Sequence, residues 1–179
     1  MQPNKTIHSE TLVNGMIFDV VRRTVMLPNG KEAKRDIVLH NGAAAMVAVT
    51  DAGELVLVRQ YRDGPSQWML ELPAGKLDPG EDAAACAVRE LEEETGYKAA
   101  RVRLLMKVYP VGAYCSEVIY LYLCEGLSPG EANTDPDEFL EVLTYPLEDV
   151  LRMIEAGEIS DMKTVAGVLY YKEFVGRGM

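Results

Sequence analysis

The chain is short of positive charge, of cysteine and of long apolar runs. Its 18 Lys+Arg stand against 28 Asp+Glu, a formal net charge of −10. A field of that sign repels a nucleic-acid backbone and an anionic membrane surface, so neither is an expected partner. An anionic ligand would need a cation between itself and the protein. The three cysteines, Cys86, Cys115 and Cys124, are odd in number and fall at no metal-ligand or redox spacing. They argue against a disulfide framework and fit a reducing compartment better. The most apolar run, Ala43 to Val49, is seven residues long, where a membrane-spanning helix needs roughly 20. The first ten residues are polar and carry no signal-peptide core. A cytoplasmic location is expected. Low-complexity tracts, repeats and linkers are absent too, so the 179 residues read as one domain, long enough to bury a core.

What is present divides into strands first and helices later. Met16 to Leu27 is rich in Val, Ile, Phe and Thr, followed by the turn signature Pro28-Asn29-Gly30 and a further strand, Lys34 to Leu39. Ala43 to Val49 and Leu55 to Val58 read as a hairpin about Asp51-Ala52-Gly53. Trp68 to Leu72, Val102 to Val108 and Val118 to Leu123 are further strand candidates. Glu81 to Thr95 holds neither Gly nor Pro and is dominated by Ala, Leu, Glu and Arg, which predicts a helix stopped by Gly96. Leu147 to Ala156 and about Asp161 to Phe174 are predicted helices, the last with Ser160 as its N-cap. This order implies an α/β or α+β sandwich.

The end of the first helix breaks a local rule. In Arg89-Glu90-Leu91-Glu92-Glu93-Glu94-Thr95-Gly96, four carboxylates sit where the helix dipole favours cations. Glu90 lies one turn from both Glu93 and Glu94, and such like-charge pairs each cost about 0.2–0.5 kcal/mol in an isolated helix. Such conflicts tend to mark function. A hard divalent cation, Mg²⁺ or Mn²⁺, would resolve this one, since carboxylates a turn apart can ligate it together. The alternative for a Glu-rich helix is a solvated acidic face.

The surrounding sequence separates the two readings. Gly75, Glu81, Arg89-Glu90-Leu91, Glu93-Glu94, Gly96 and Tyr97 follow the spacing G-x5-E-x7-R-E-U-x-E-E-x-G-U, where U is apolar or aromatic, across residues 75–97. This is the signature of the Nudix hydrolases, which the chain therefore resembles. Outside it, Arg35-Asp36-Ile37-Val38, Leu57 to Arg62, Glu71 to Leu77, Glu117-Val118, Asp137-Glu138-Phe139 and Asp161 to Thr164 look like the ADP-ribose pyrophosphatase branch.

The resemblance implies a Nudix-type α/β/α sandwich with a mixed sheet. About residues 1–40 form an N-terminal antiparallel strand region, and about 41–179 the catalytic core. It implies Mg²⁺-dependent hydrolysis of ADP-ribose to AMP and ribose 5-phosphate. The alternatives are another nucleoside diphosphate derivative as substrate, or a module that binds a nucleotide without cleaving it. Metal ligands are implied at Glu90, Glu94, Glu138 and the backbone carbonyl of Ala74. Catalytic roles fall to Glu93, Glu94, Arg89 and Glu138, and substrate contacts to Arg62, Arg59 and Glu71. Gly75 and Gly96 are assigned backbone roles, a tight loop and a helix stop. The branch also implies a homodimer whose N-terminal strands help build the partner's site. Two segments depart from its pattern: Val111-Gly112-Ala113 stands where a Ser-Pro-Gly stretch is usual, and Pro136 where a second acidic residue is usual, leaving Asp135, Asp137 or Glu138 alone to serve.

Overall fold

The computed structural model describes residues 2–134 and 138–176, which cluster into two compact units. The first comprises Met1–Gly42 and Tyr109–Val118. Its strands β1 (Lys5–Asn14), β2 (Asp19–Met26) and β3 (Glu32–Leu39) form an antiparallel meander in that order. The β2–β3 turn is the expected one: Gly30 adopts φ +77°, and its N–H donates to the Leu27 carbonyl at 2.9 Å. Arg22 and Asp36 face each other across the two strands and pair at 2.7 Å. Every residue of β1 is exposed. With neither face buried, β1 lacks the alternation that announces a strand, which is why only its neighbours are legible in sequence.

The second unit comprises Ala43–Val108 and Ile119–Met179. Its sheet runs β10 (Leu140–Pro146), β5 (Glu54–Arg62), β4 (Ala43–Val49), β9 (Ile119–Pro129), β8 (Tyr97–Val108); β6 (Gln67–Glu71) pairs with β5 and β7 (Ala74–Lys76) with β4. Only β4 and β9 pair in parallel, so the sheet is mixed. β4 is buried at every position, and its alternate residues feed two cores. Ala45, Val47 and Val49 join Leu55, Leu57 and Leu121 against Val150 of α2 (Leu147–Glu155) and Val168 of α3 (Met162–Phe174). Ala44, Met46 and Ala48 join Val56 and Tyr122 against Ala83, Ala87 and Leu91 of α1 (Ala83–Thr95). Helices thus cover both faces, and the expected α/β/α sandwich is found.

Two helix starts differ from the sequence reading, each for a local reason. α1 starts at Ala83, because Asp82 accepts from the Ala84 and Ala85 N–H groups at 3.0 and 3.1 Å and so caps it. α3 is capped by Asp161, whose carboxylate accepts the Thr164 N–H at 3.0 Å, and not by Ser160. β10, an edge strand, was not predicted at all. Gly96 stops α1 as expected, in the left-handed region at φ +70° with its N–H bonded to the Glu92 carbonyl.

Helix α3 lies close against the sheet because Gly167 has no side chain. A Cβ there would sit 2.8 Å from Leu72 Cδ1 and 3.1 Å from Val47 Cγ2. Gly167→Val is therefore expected to destabilise the fold by about 1–3 kcal/mol, the usual cost of overpacking a core. Urea unfolding measures it, and a variant as stable as the parent would contradict this packing.

The sheet divides at one place. β5 pairs with the end of β4 at Ala48↔Val56 and Val49↔Leu55, whereas β7 pairs with its beginning, Ala43↔Lys76 to Ala45↔Ala74. The turn Leu72-Pro73 fills the split and is pinned by the Met46 N–H donating to the Pro73 carbonyl at 2.9 Å. That turn and the end of α1 carry the residues described next.

Candidate active site

Arg89 is the hub of the α1 cluster. Its Nε and Nη2 donate to the two oxygens of Glu81 at 3.0 and 3.1 Å, and Nη1 donates to Glu90 at 2.8 Å and Glu93 at 2.9 Å. Nη2 also reaches the Lys76 carbonyl at 3.3 Å. One guanidinium thus holds three carboxylates that would otherwise repel one another. Glu81 in turn accepts the Asp78 N–H at 2.9 Å, closing the turn before the helix. Hydrogen bonding from Arg89 holds the Glu81 carboxyl below its ordinary range.

Glu90 packs its carboxylate against Gly75, where a Cβ would lie 1.7 Å from its Cδ. This corrects the sequence reading of Gly75. It sits in β7 and is absent from the left-handed glycines, so close approach by Glu90, and not a tight turn, is what requires glycine there. Glu94 is 3% exposed and accepts the Ala74 N–H at 3.0 Å. Burial pushes its carboxyl up to about 8; the Ala74 amide opposes the rise, and the charges of Glu138 and Glu90 add to it. Burial likewise raises Glu90, against the pull of Arg89. Ala74, Glu90, Glu94 and Glu138 therefore belong to one electrostatic group. Asp135, Pro136 and Asp137 lie outside the described residues.

The donor set suits a hard dication. It consists of carboxylate oxygens and a backbone turn, and its members carry mutual repulsion and burial that a dication would offset. As placed, no three Asp, Glu, His or Cys side chains among the described residues converge as metal ligands. Arg89 draws Glu90 and Glu93 toward itself, and Glu94 faces the Ala74 amide.

A second group adjoins the first. Arg62, at the end of β5, donates from Nε and Nη2 to both oxygens of Glu71 at 3.0 and 2.9 Å. Glu71 is 2% exposed and also accepts from Lys163, a buried lysine of α3. Lys163 donates to Asp161 at 3.0 Å. Thr164 donates to Asp161 at 2.6 Å and accepts the Leu72 N–H at 2.8 Å. The sequence reading assigned no role to Asp161, Lys163 or Thr164. The signal available was that Asp161 to Thr164 lies in a segment resembling the ADP-ribose pyrophosphatase branch. Arg59, three residues from Arg62 and so on the other face of β5, is not brought to either group. It lies over the Trp68 ring at 5.4 Å and pairs with Glu141 at 3.7 Å.

Burial alone would raise the Glu71 carboxyl, but Arg62 and Lys163 outweigh it and hold the group below its ordinary value of 4.5. A carboxyl depressed in the folded state contributes stability above its unfolded value, and the contribution disappears as pH falls through the folded one. Glu71→Gln is expected to cost about 2 kcal/mol at pH 7, as for hydrogen bonds to charged groups. The gap should close as the pH is lowered below 4.5. Urea titrations of both proteins from pH 7 to pH 3 measure this, and a constant gap would refute the linkage.

Residues 39–166 match the NUDIX domain family. The chain belongs to the Nudix family. Over 168 residues it is 42% identical to the ADP-ribose pyrophosphatase of Bacillus subtilis (strain 168), spanning 93% of this chain and 91% of that protein. It is 40% identical, with the same coverage, to the methanol dehydrogenase activator of Bacillus methanolicus. Among solved structures, that of an ADP compounds hydrolase matches with a TM-score of 0.86 at 25% identity, covering 97% of this chain and 94% of the other. The Nudix signature of residues 75–97 coincides with β7, α1 and the start of β8.

Proposed function

We propose that this Nudix hydrolase cleaves the diphosphate of ADP-ribose, giving AMP and ribose 5-phosphate. The carrying observation is the 42% identity to an ADP-ribose pyrophosphatase over nearly the whole of both chains. The signature carboxylates supply the matching chemistry. Glu90, Glu94, Glu138 and the Ala74 carbonyl would hold the cation, which we assign as Mg²⁺ with Mn²⁺ as a substitute. When bound, such an ion neutralises the diphosphate and makes water a better nucleophile.

The chain's own groups do the rest. Arg89 restrains Glu90 and Glu93, which keeps the carboxylates from splaying apart. Arg62 keeps part of its guanidinium free of Glu71 and offers it to a phosphate oxygen. A water oxygen attacks one phosphorus as the bridging P–O bond breaks, and its proton passes to a carboxylate, Glu138 or Glu93. Arg59 lies apart from this constellation, so a contact with substrate there would be at the outer end. Glu71 acts from beneath Arg62.

One feature favours a second substrate. Val111-Gly112-Ala113 departs from the branch pattern, which supports a different nucleoside diphosphate sugar. Incubation with ADP-ribose, GDP-mannose and a dinucleoside polyphosphate in the presence of Mg²⁺, with product identification, separates the two. AMP released preferentially from ADP-ribose is the expected result, and preferential turnover of another diphosphate would replace that substrate.

The homodimer expected from the branch is proposed as well. Its support is β1, whose Ile7, Leu12 and Val13 lie open to solvent. Light scattering at working concentration tests it. The free state of all three cysteines supports the cytoplasm as its location, and the surplus of acidic residues a small-molecule substrate in preference to nucleic acid.

A further inference from the structure

Lysine is almost never buried unless it is paired, yet Lys163 is 8% exposed and sits between two carboxylates, Glu71 and Asp161. A buried ion pair is weak evidence for stability, since a well-packed apolar replacement is often as stable. The purpose of this one is better sought in what it holds. Glu71 is gripped from two sides: Lys163 from α3, Arg62 from β5. Two of the five guanidinium N–H donors of Arg62 go to Glu71. The others remain for an anion, and the side chain is 38% exposed.

The charges add up in a way that needs Lys163. Arg62 and Lys163 together balance Glu71 and Asp161. Without the lysine, Arg62 alone faces two carboxylates, and the group carries a net negative charge that repels a phosphate. The same turn of α3 also fixes the neighbouring backbone, because Thr164 accepts the Leu72 N–H, two residues before the Ala74 amide that holds Glu94.

We propose that Lys163 is a positioning residue for substrate binding: through Glu71 it fixes the guanidinium of Arg62, and by offsetting one of the two carboxylates it leaves the remaining N–H donors of Arg62 able to hold a diphosphate without net repulsion. The inference rests on the proposed diphosphate hydrolysis for its meaning, but not for its test.

The test compares Lys163→Met, Lys163→Arg, Arg62→Ala and the double variant Lys163→Met/Arg62→Ala with the parent. Two readouts serve: calorimetric affinity for ADP with Mg²⁺ held constant, and KM and kcat for the diphosphate the parent turns over. Lys163→Met is expected to weaken ADP binding and raise KM about tenfold, with kcat within about threefold. Lys163→Arg should recover most of that loss, and Lys163→Met should add nothing once Arg62 is gone. An unchanged ADP affinity in Lys163→Met overturns the proposal. So does a loss that persists undiminished in the Arg62→Ala background, or one confined to kcat. Should Lys163→Met fail to fold, Glu71→Gln takes its place in the same cycle with the same criteria. A parent that does not cleave ADP-ribose sinks the substrate assignment alone, because ADP affinity still reports on Arg62.

Discussion

Glu94→Gln is expected to leave a folded protein that turns over ADP-ribose about 10²–10⁴-fold more slowly, the range for a group acting directly on the reaction. The fold is spared because glutamine keeps an oxygen for the Ala74 N–H and is neutral at a site that is 3% exposed, where burial already pushes the carboxyl up to about 8. Replacing a buried carboxyl that has no salt-bridge partner by a neutral amide of the same shape costs the structure little. The chemistry is not spared, since an amide oxygen holds a dication far less firmly than a carboxylate does. A ligand that binds only the folded state raises its stability by mass action. Adding Mg²⁺ should therefore raise the melting temperature of the parent and leave that of Glu94→Gln unmoved. Full turnover in the variant, or an equal Mg²⁺ shift in both, would remove Glu94 from the cation site.

How much of this was legible in advance follows from the range of each interaction. α1 could be read because its signal is local: residue spacing, a run without Gly or Pro, and the stop at Gly96. The two-sided burial of β4 was implied by seven apolar residues in a row, which no half-solvated strand would carry. The α/β/α arrangement came with the family resemblance, and the two cores follow from the alternation in β4. β1 was missed because neither of its faces is buried, so hydrophobic period 2 is absent from it; β10 has only Leu140, Leu143 and Tyr145 half-buried, a period-2 signal confined to its second half.

The bracing beneath Arg62 was missed for a different reason. Lys163 meets Glu71 across 92 residues of sequence, and no local pattern states that a lysine in a helix's first turn will be buried. Burial of Asp161, Lys163 and Thr164 is decided by how α3 lands on the sheet, and Gly167 sets that approach. The same holds for Gly75. Its place in the signature was evident, but the reason for glycine, a carboxylate arriving from α1, exists only in three dimensions.

That reason yields the second large effect. Gly75→Ala is expected to fold with a melting temperature within a few degrees of the parent, and to lose about 10²-fold in kcat/KM. Alanine suits β7 at least as well as glycine, since residue 75 needs no left-handed backbone. The conflict is with Glu90, whose Cδ and two oxygens would lie 1.7, 2.0 and 2.2 Å from the new Cβ. The carboxylate must move, and it cannot move alone, because Arg89 ties it to Glu81 and Glu93. Displacements near 1 Å in groups that orient a reaction cost roughly 10²-fold. Kinetics on the purified variant, beside its melting curve, separate this from simple misfolding. Parent-like kcat/KM would mean that Glu90 need not lie against β7 to act, and would break the link between the glycine of the signature and its carboxylates.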